Sequence, residues 1–162
     1  MTCNLWRPAG VARAFRPAAL LDEGDFTLLA GAIRTSRESL GFSLTAWVLL
    51  PDHWHAIIFP RHPLTISKVM KLIKEHSTYG INLRRKTSGR LWQERFFEHA
   101  LRTVKEYHDA INYIHLNPLK RGSVQKPEEW KWSSVHAYMG SGEDLLPVDR
   151  LRLPADARAR LF

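Results

Sequence analysis

The chain has 162 residues, 44% of them hydrophobic, with six Trp, seven Phe and four Tyr. That suits one globular domain and argues against disorder. The 24 Lys and Arg against 16 Asp and Glu give a formal charge of +8, which points to a polyanion partner, nucleic acid before membrane surface; a merely soluble basic protein fits charge alone equally well. Cys3 is the single cysteine, so neither an internal disulfide nor a cysteine-based zinc cluster can form. No apolar run reaches the ~18–20 residues of a membrane span, and the N-terminal residues lack the apolar stretch of a signal peptide. The expected location is cytoplasmic.

Met1 to Arg7 reads as a short strand ended by Pro8 and Gly10. Arg13 to Leu21 contains Pro17 and has no clear period. Asp22 to Leu40 reads as a helix, capped by Asp22 or Asp25, striped by Leu28, Leu29, Ile33 and Leu40, and ended by Gly41. Phe42 to Leu50 and His53 to Pro60 read as two strands, and the tight Pro51-Asp52 turn makes them an antiparallel hairpin. Pro63 to Leu83 has helical period, Arg84 to Arg90 is a basic loop, and Leu91 to Arg102 contains a further strand. Thr103 to Asn117 is a second strong helix, with Thr103 and Glu106 spaced as a capping box. Pro118 should stop it near Asn117. From Pro127 onward, Trp130, Trp132 and Tyr138 suggest a packed extension before a looser tail.

The resulting order, β-α-β-β-α-β-α, contains the ferredoxin-like β-α-β-β-α-β core, an α+β arrangement with an antiparallel sheet and its helices on one face. The expected division is a catalytic domain over residues 1–126 and a C-terminal extension over residues 127–162.

Three features carry chemistry. His53 and His55 flank Trp54 on one strand, so both imidazoles project from the same face and can grip one divalent ion. Two surface histidines on a half-exposed strand would look the same. Tyr113 and Asn117 stand one helical turn apart, so an amide oxygen could complete a metal site beside a phenol. A core tyrosine and a helix-ending Asn are the plain reading of that pair. Lys68, Lys71 and Lys74 recur at helical spacing, followed by Arg84, Arg85, Lys86 and Arg90, and Lys120 and Arg121 come just after Asn117. A solvated helix face is the usual explanation of such a row, but Lys71, Lys74, Arg84, Arg85, Lys86, Arg90, Lys120 and Arg121 are the candidate phosphate contacts. Trp92, Phe96 and Phe97 can stack bases or fill the core.

Taken together, WVLLPDHWHAII (Trp47 to Ile58), KLIKEHSTYGIN (Lys71 to Asn82), LWQERFFEHALR (Leu91 to Arg102) and YIHLNPLKRG (Tyr113 to Gly122), with WKWSS (Trp130 to Ser134), make a specific combination. The chain resembles the HUH single-tyrosine transposases, and most closely the REP-associated tyrosine transposases. The resemblance implies the HUH form of the ferredoxin-like fold, with Tyr113 as catalytic nucleophile and His53, His55 and Asn117 as ligands of a divalent metal, Mg²⁺ or Mn²⁺. It implies metal-dependent cleavage and rejoining of single-stranded or hairpin DNA, such as repetitive extragenic palindromes, through a 5′-phosphotyrosine intermediate. A monomer is expected rather than a homodimer. The alternatives are a non-catalytic DNA-binding regulator on the same fold, a metal-dependent RNA nuclease that uses water, and a plain structural basic domain. One departure stands out: only Met1 to Arg7 is left to serve as the first strand.

Overall fold

Apolar spacing switches along the chain between every second residue and every third or fourth, and strands alternate with helices accordingly. In the computed structural model, which describes residues 9–15, 20–141 and 145–151, the elements are β1 (Ala9–Phe15), α1 (Glu23–Leu40), β2 (Ser43–Leu50), β3 (His53–Phe59), α2 (Ile66–Arg85), β4 (Phe96–Leu101) and α3 (Val104–Lys120). A 3-10 turn at Pro127–Glu129 and a short α4 (Val135–Met139) follow. None of the helices among the described residues is long and apolar enough to cross a membrane.

Local chemistry sets the helix ends. At the start of α1 the Asp25 backbone N–H donates to the Asp22 carboxylate and the Asp22 N–H donates to the Asp25 carboxylate, both at 3.0 Å. These reciprocal bonds satisfy two donors that a helix start leaves without partners. Gly41 closes α1 at φ 72°, a left-handed conformation that glycine adopts without cost. Thr65 and Thr103 cap α2 and α3 through their hydroxyls.

All neighbouring strands are antiparallel, in the order β2-β3-β1-β4. A β-α-β-β-α-β chain that places its first and third strands at the centre is ferredoxin-like. The first strand, however, is Ala9–Phe15, after the Pro8 expected to end it; the strand expected at Met1 to Arg7 lies outside the described residues. The signal was hidden because Gly10, Ala12 and Ala14 recur every second position, and small residues have little strand propensity. Ala12 is fully buried beneath the helices, so this central strand is built for close approach rather than bulk.

The helix expected to stop near Asn117 instead runs through Pro118 to Lys120. Proline forfeits its own N–H bond and crowds the carbonyl four residues back, but the turn beyond is held by Arg121 N–H to Asn117 O at 3.1 Å and Ser123 N–H to Pro118 O at 3.0 Å. This extra turn carries Lys120 and places Arg121 at its end, which matters for the site below.

The sheet is covered on both faces. Leu44, Trp47, Leu49, Trp54, Ala56 and Ile58 pack against α1 and α2 with Phe26, Leu29, Ile33, Met70 and Ile73. Ala46, Val48, Leu50, Ile57 and Leu101 pack against Tyr107, Ile111 and Ile114 of α3. The two helices of the expected core therefore share one face, and α3 covers the other. An irregularity between Leu44 and Ala46 lets these two residues, only two apart, serve opposite faces.

The segment after α3 protects the outer edge of β2. Leu49 N–H donates to Trp132 O, Ser134 N–H donates to Trp47 O, and Trp47 N–H donates to the Ser134 hydroxyl, each at 2.9 Å. Trp132 and Leu146 join the core beneath α1 and α2. An edge strand occupied this way offers no template for aggregation.

His115 of α3 supports the same strap, with its Nε2 2.8 Å from the Ser134 hydroxyl. Burial, helped by nearby His136, lowers its pKa from 6.5 to about 4. The unfolded chain then binds a proton between those values that the folded one refuses, so stability present above pH 6.5 is lost as pH falls toward 4. The loss should be about 3 kcal/mol, since each pKa unit is ~1.36 kcal/mol. Urea unfolding from pH 7 to pH 4 should show this slope, flattened in His115→Gln, which keeps a bond to Ser134 without the titration. Equal slopes in both proteins would remove His115 as its cause.

Candidate active site

β3 alternates strictly in its use of the two faces. Trp54, Ala56 and Ile58 enter the core under α1 and α2, so His53 and His55 join Ile57 on the α3 side. Each imidazole is 2% exposed, and their ring centroids are 4.9 Å apart, edge to face. α3 crosses this part of the sheet and lowers one face of its last turns onto them. Tyr113 meets His55 edge to face at 5.5 Å. One turn on, Asn117 is 6% exposed, with Nδ2 3.4 Å from His55 Nε2.

The amide of Asn117 is chemically telling. Its Oδ1 is buried with no hydrogen-bond partner among the described residues, although buried polar atoms nearly always have one. Turning the amide over exchanges oxygen for nitrogen and brings Oδ1 beside the imidazole nitrogen. Two acceptors would then face one point, an arrangement that only a donor or a cation satisfies. Oxygen and nitrogen ligands ~2.1 Å from one octahedral cation stand about 3 Å apart, close to the separation seen. Among the described residues no three His, Cys, Asp or Glu side chains gather as a metal site; the candidate donors are two imidazoles and an amide.

Asp52 and Arg121 complete the surroundings. Asp52 Oδ1 is 2.7 Å from His53 Nδ1. A carboxylate only accepts, so Nδ1 carries the proton and Nε2 the lone pair, the orientation that carboxylates impose on metal-binding histidines. Arg121 Nη2 donates to Asp52 Oδ2 at 3.1 Å, and its Nη1 lies 3.2 Å from His53 Nδ1. Since Nδ1 already donates to Asp52, that second approach is a charge contact rather than a hydrogen bond. Burial pushes the Asp52 carboxyl up, but the bonds to His53 and Arg121 outweigh it and hold its pKa below the usual carboxylate value.

Tyr113 differs from its neighbours in being 43% exposed. Lys120, two turns on along the same face of α3, holds its ammonium 5.2 Å above the phenol ring. The site is thus a buried nitrogen and oxygen donor set with one open phenol at its rim and two cations, Lys120 and Arg121, beside it.

The other candidate cations fall elsewhere. Arg84 and Arg85 lie in the last turn of α2 rather than in a loop, and both bind the buried Asp25, with Arg84 also reaching Asp22 at 2.9 Å. Lys74 donates to the carbonyls of Gln93 at 2.7 Å and Glu94 at 3.2 Å; burial, with Arg90 nearby, lowers its pKa. Lys71 and Arg90 approach Glu75 at 3.8 Å and Glu94 at 3.6 Å on the surface. Lys86 ends α2 in the left-handed conformation. Of the eight, only Lys120 and Arg121 are brought to the histidines and the phenol. Asp52 was missed in the sequence, where it read only as half of a turn; an acid directly before the first histidine was the available signal.

Comparison with known proteins now decides the family. Residues 16–117 match the model of the IS200-like transposases, which spans both histidines, the phenol and the amide. The chain belongs to the IS200-like transposase family. Over 125 residues it is 34% identical to the REP-associated tyrosine transposase of Escherichia coli K12, covering 76% of this chain and 72% of that one. Over 115 residues it is 30% identical to a putative REP-associated tyrosine transposase of Haemophilus influenzae, covering 65% of each. Among solved structures, a REP-associated tyrosine transposase bound to a REP hairpin superposes with a TM-score of 0.71 over 97% of both chains at 24% identity, a likeness of fold. A putative transposase from Deinococcus radiodurans aligns at 0.50 over 70% of this chain and 94% of the other, at 15% identity. The transposase of this chain is thus an enzyme of the REP-associated tyrosine group on an α+β, ferredoxin-like fold.

Proposed function

We propose that this transposase cleaves and rejoins single-stranded or hairpin DNA, with Tyr113 as nucleophile and with His53, His55 and Asn117 as ligands of a divalent cation, Mg²⁺ or Mn²⁺. The observation that carries the reading is the meeting of an exposed phenol, two buried imidazoles and a buried amide whose oxygen has no partner among the described residues. A cation bound there supplies charge neutralisation to the phosphoryl oxygens. The relative solved with a REP hairpin supports hairpin DNA, repetitive extragenic palindromes, as substrate. All four side chains meet within one chain, which supports a working monomer, and a DNA substrate supports a cytoplasmic location.

The chain's own groups account for the rest. Lys120 and Arg121 attract and hold the phosphate beside the phenol. The Tyr113 oxygen, on losing its proton, attacks phosphorus as the bond from phosphorus to the 3′-oxygen breaks. The departing 3′-oxygen gains a proton, and the 5′-phosphate remains esterified to Tyr113. One phosphodiester has replaced another, so the bond energy is kept. A different 3′-OH can reverse the step and join a new strand without ATP. Asp52 keeps His53 in the tautomer that presents Nε2 to the site.

Incubation with end-labelled hairpin DNA and Mn²⁺ or Mg²⁺ tests this on a denaturing gel. The expected result is a slower protein–DNA band that needs the cation. Cleavage without that band would make the protein a water-using nuclease. Binding with neither would make it a regulator on a transposase fold.

A further inference from the structure

The segment Trp92 to Phe97 holds three aromatic rings, and the structure separates them. Trp92 is 3% exposed and donates its indole N–H to the Ser77 hydroxyl at 2.9 Å. Phe96 packs at the edge of the core under α1 and α2, with the Lys74 ammonium 5.7 Å from its ring centroid. Phe97, next along β4, turns to the opposite face of the sheet and is 60% exposed. It shares that face with Leu101, which α3 buries to 2%. The ring therefore lies on the α3 side of the sheet, beyond the area that α3 covers.

Strand register relates this ring to the active site. Phe97 stands opposite Arg13 of β1, and Arg13 stands opposite His55 of β3. Paired residues of antiparallel strands project to the same face. Phe97 and His55 thus occupy one cross-strand row, two strand spacings apart, or about 10 Å. The open ring lies level with the catalytic histidine, on the same face as the Tyr113 phenol. A nucleic-acid strand with its scissile phosphate at Tyr113 carries flanking nucleotides that must leave across this face or along α3.

We propose that Phe97 is a stacking platform for an unpaired base flanking the scissile phosphate. This rests on the catalytic reading given above. The chemistry fits a nucleobase: a flat apolar ring, open to solvent, with Arg95 just before the strand and with Lys120 over the phenol and Arg121 beside His53 to hold phosphates. Each base has a π-face, so stacking holds the strand without reading its sequence. The platform fixes how far the strand extends past the nucleophile, and so which phosphate reaches Tyr113.

The test uses the full chain carrying Tyr113→Phe, which keeps the DNA intact, and hairpins with 2-aminopurine placed in turn at each single-stranded position beside the scissile phosphate. Quenching of the probe at one or two positions is expected on binding. Adding Phe97→Ala should remove that quench and weaken binding roughly 5- to 150-fold, the range for loss of one stacked base. Phe97→Trp should keep both. No quench at any position, or a quench and affinity unchanged in Phe97→Ala, would overturn the proposal. So would a dimer by sedimentation that Phe97→Ala converts to monomer, since the ring beside the outer edge of β4 would then belong to a second copy of the chain. The two readings fail separately. A Phe97-dependent quench without any tyrosine adduct in the native chain sinks the catalytic reading alone, and an adduct with Phe97-independent binding sinks this one alone.

Discussion

Tyr113→Phe is expected to eliminate the covalent protein–DNA band at every cation concentration, lowering adduct formation by at least about 10³-fold, as loss of a nucleophile does. The substitution removes one oxygen and little else. The ring still meets His55 edge to face and still lies under the Lys120 ammonium, so α3 and the donor set should stay in place. Binding of Mn²⁺ by calorimetry and binding of hairpin DNA should therefore remain within a few-fold of the parent. No other described tyrosine can substitute. Tyr107 is 6% exposed in the α3 core, against Phe59. Tyr138 donates its phenol proton to the Thr45 carbonyl at 2.6 Å, and burial raises its pKa far above the usual phenol value. Tyr79 is 74% exposed but belongs to α2, on the other side of the sheet. An adduct that persists in Tyr113→Phe would send the search for a nucleophile elsewhere and leave the phenol a merely structural role.

The sequence revealed this site better than it revealed the sheet that holds it, and the reason is physical. Two histidines two apart on a strand and two polar residues four apart on a helix each define a face by backbone geometry alone. Which face of the sheet they share depends on what covers it, and β2 and β3 are apolar on both sides. Their runs SLTAWVLL and HWHAIIF carry little alternation from which to tell the α1 and α2 side from the α3 side. Strand β1 was misplaced for the opposite reason: its small residues serve close packing and carry no propensity signal. Pro118 was read as a stop, yet the turn beyond it keeps bonds to the Asn117 and Pro118 carbonyls despite the lost N–H and the crowded carbonyl four residues back, and this turn brings Lys120 beside the phenol and Arg121 beside His53. Charges were the least legible feature. A row of basic residues looks like one surface in sequence, whereas Arg84, Arg85 and Lys74 use their charge within the protein, on partners 59 to 65 and 19 to 20 residues away.

That internal use of charge predicts the largest effect on stability. Asp25→Ala is expected to cost about 3 kcal/mol, the lower end for breaking a buried ion pair, and to lower Tm by roughly 6–12 °C for a chain of this size. The Asp25 side chain is 0% exposed, against 41% for Arg84 and 20% for Arg85, so both cations bring solvent contact to a carboxylate that has none. One carboxylate receives Arg84 Nη1 at 2.9 Å, Arg85 Nε at 3.2 Å, Arg85 Nη2 and the Asp22 N–H at 3.0 Å. These bonds tie the end of α2 to the start of α1, on the face of the sheet opposite α3 and the candidate site. The lower end of the range applies because Arg84 retains Asp22 and Arg85 retains the Leu20 carbonyl. Asp22→Ala removes only the exposed member and one cap bond, and should lower Tm by less than Asp25→Ala does. Equal melting temperatures for the two variants would contradict this ranking. Gly24 belongs to the same lock, since a Cβ there would stand 2.4 Å from Arg84 Cζ and displace the guanidinium from both acids. It follows that neutralising Arg84 and Arg85 would weaken DNA binding partly by unfolding the chain. Phosphate contact is better tested at Lys120, whose ammonium lies over the phenol ring: Lys120→Gln should flatten the salt dependence of binding while leaving the melting temperature unchanged.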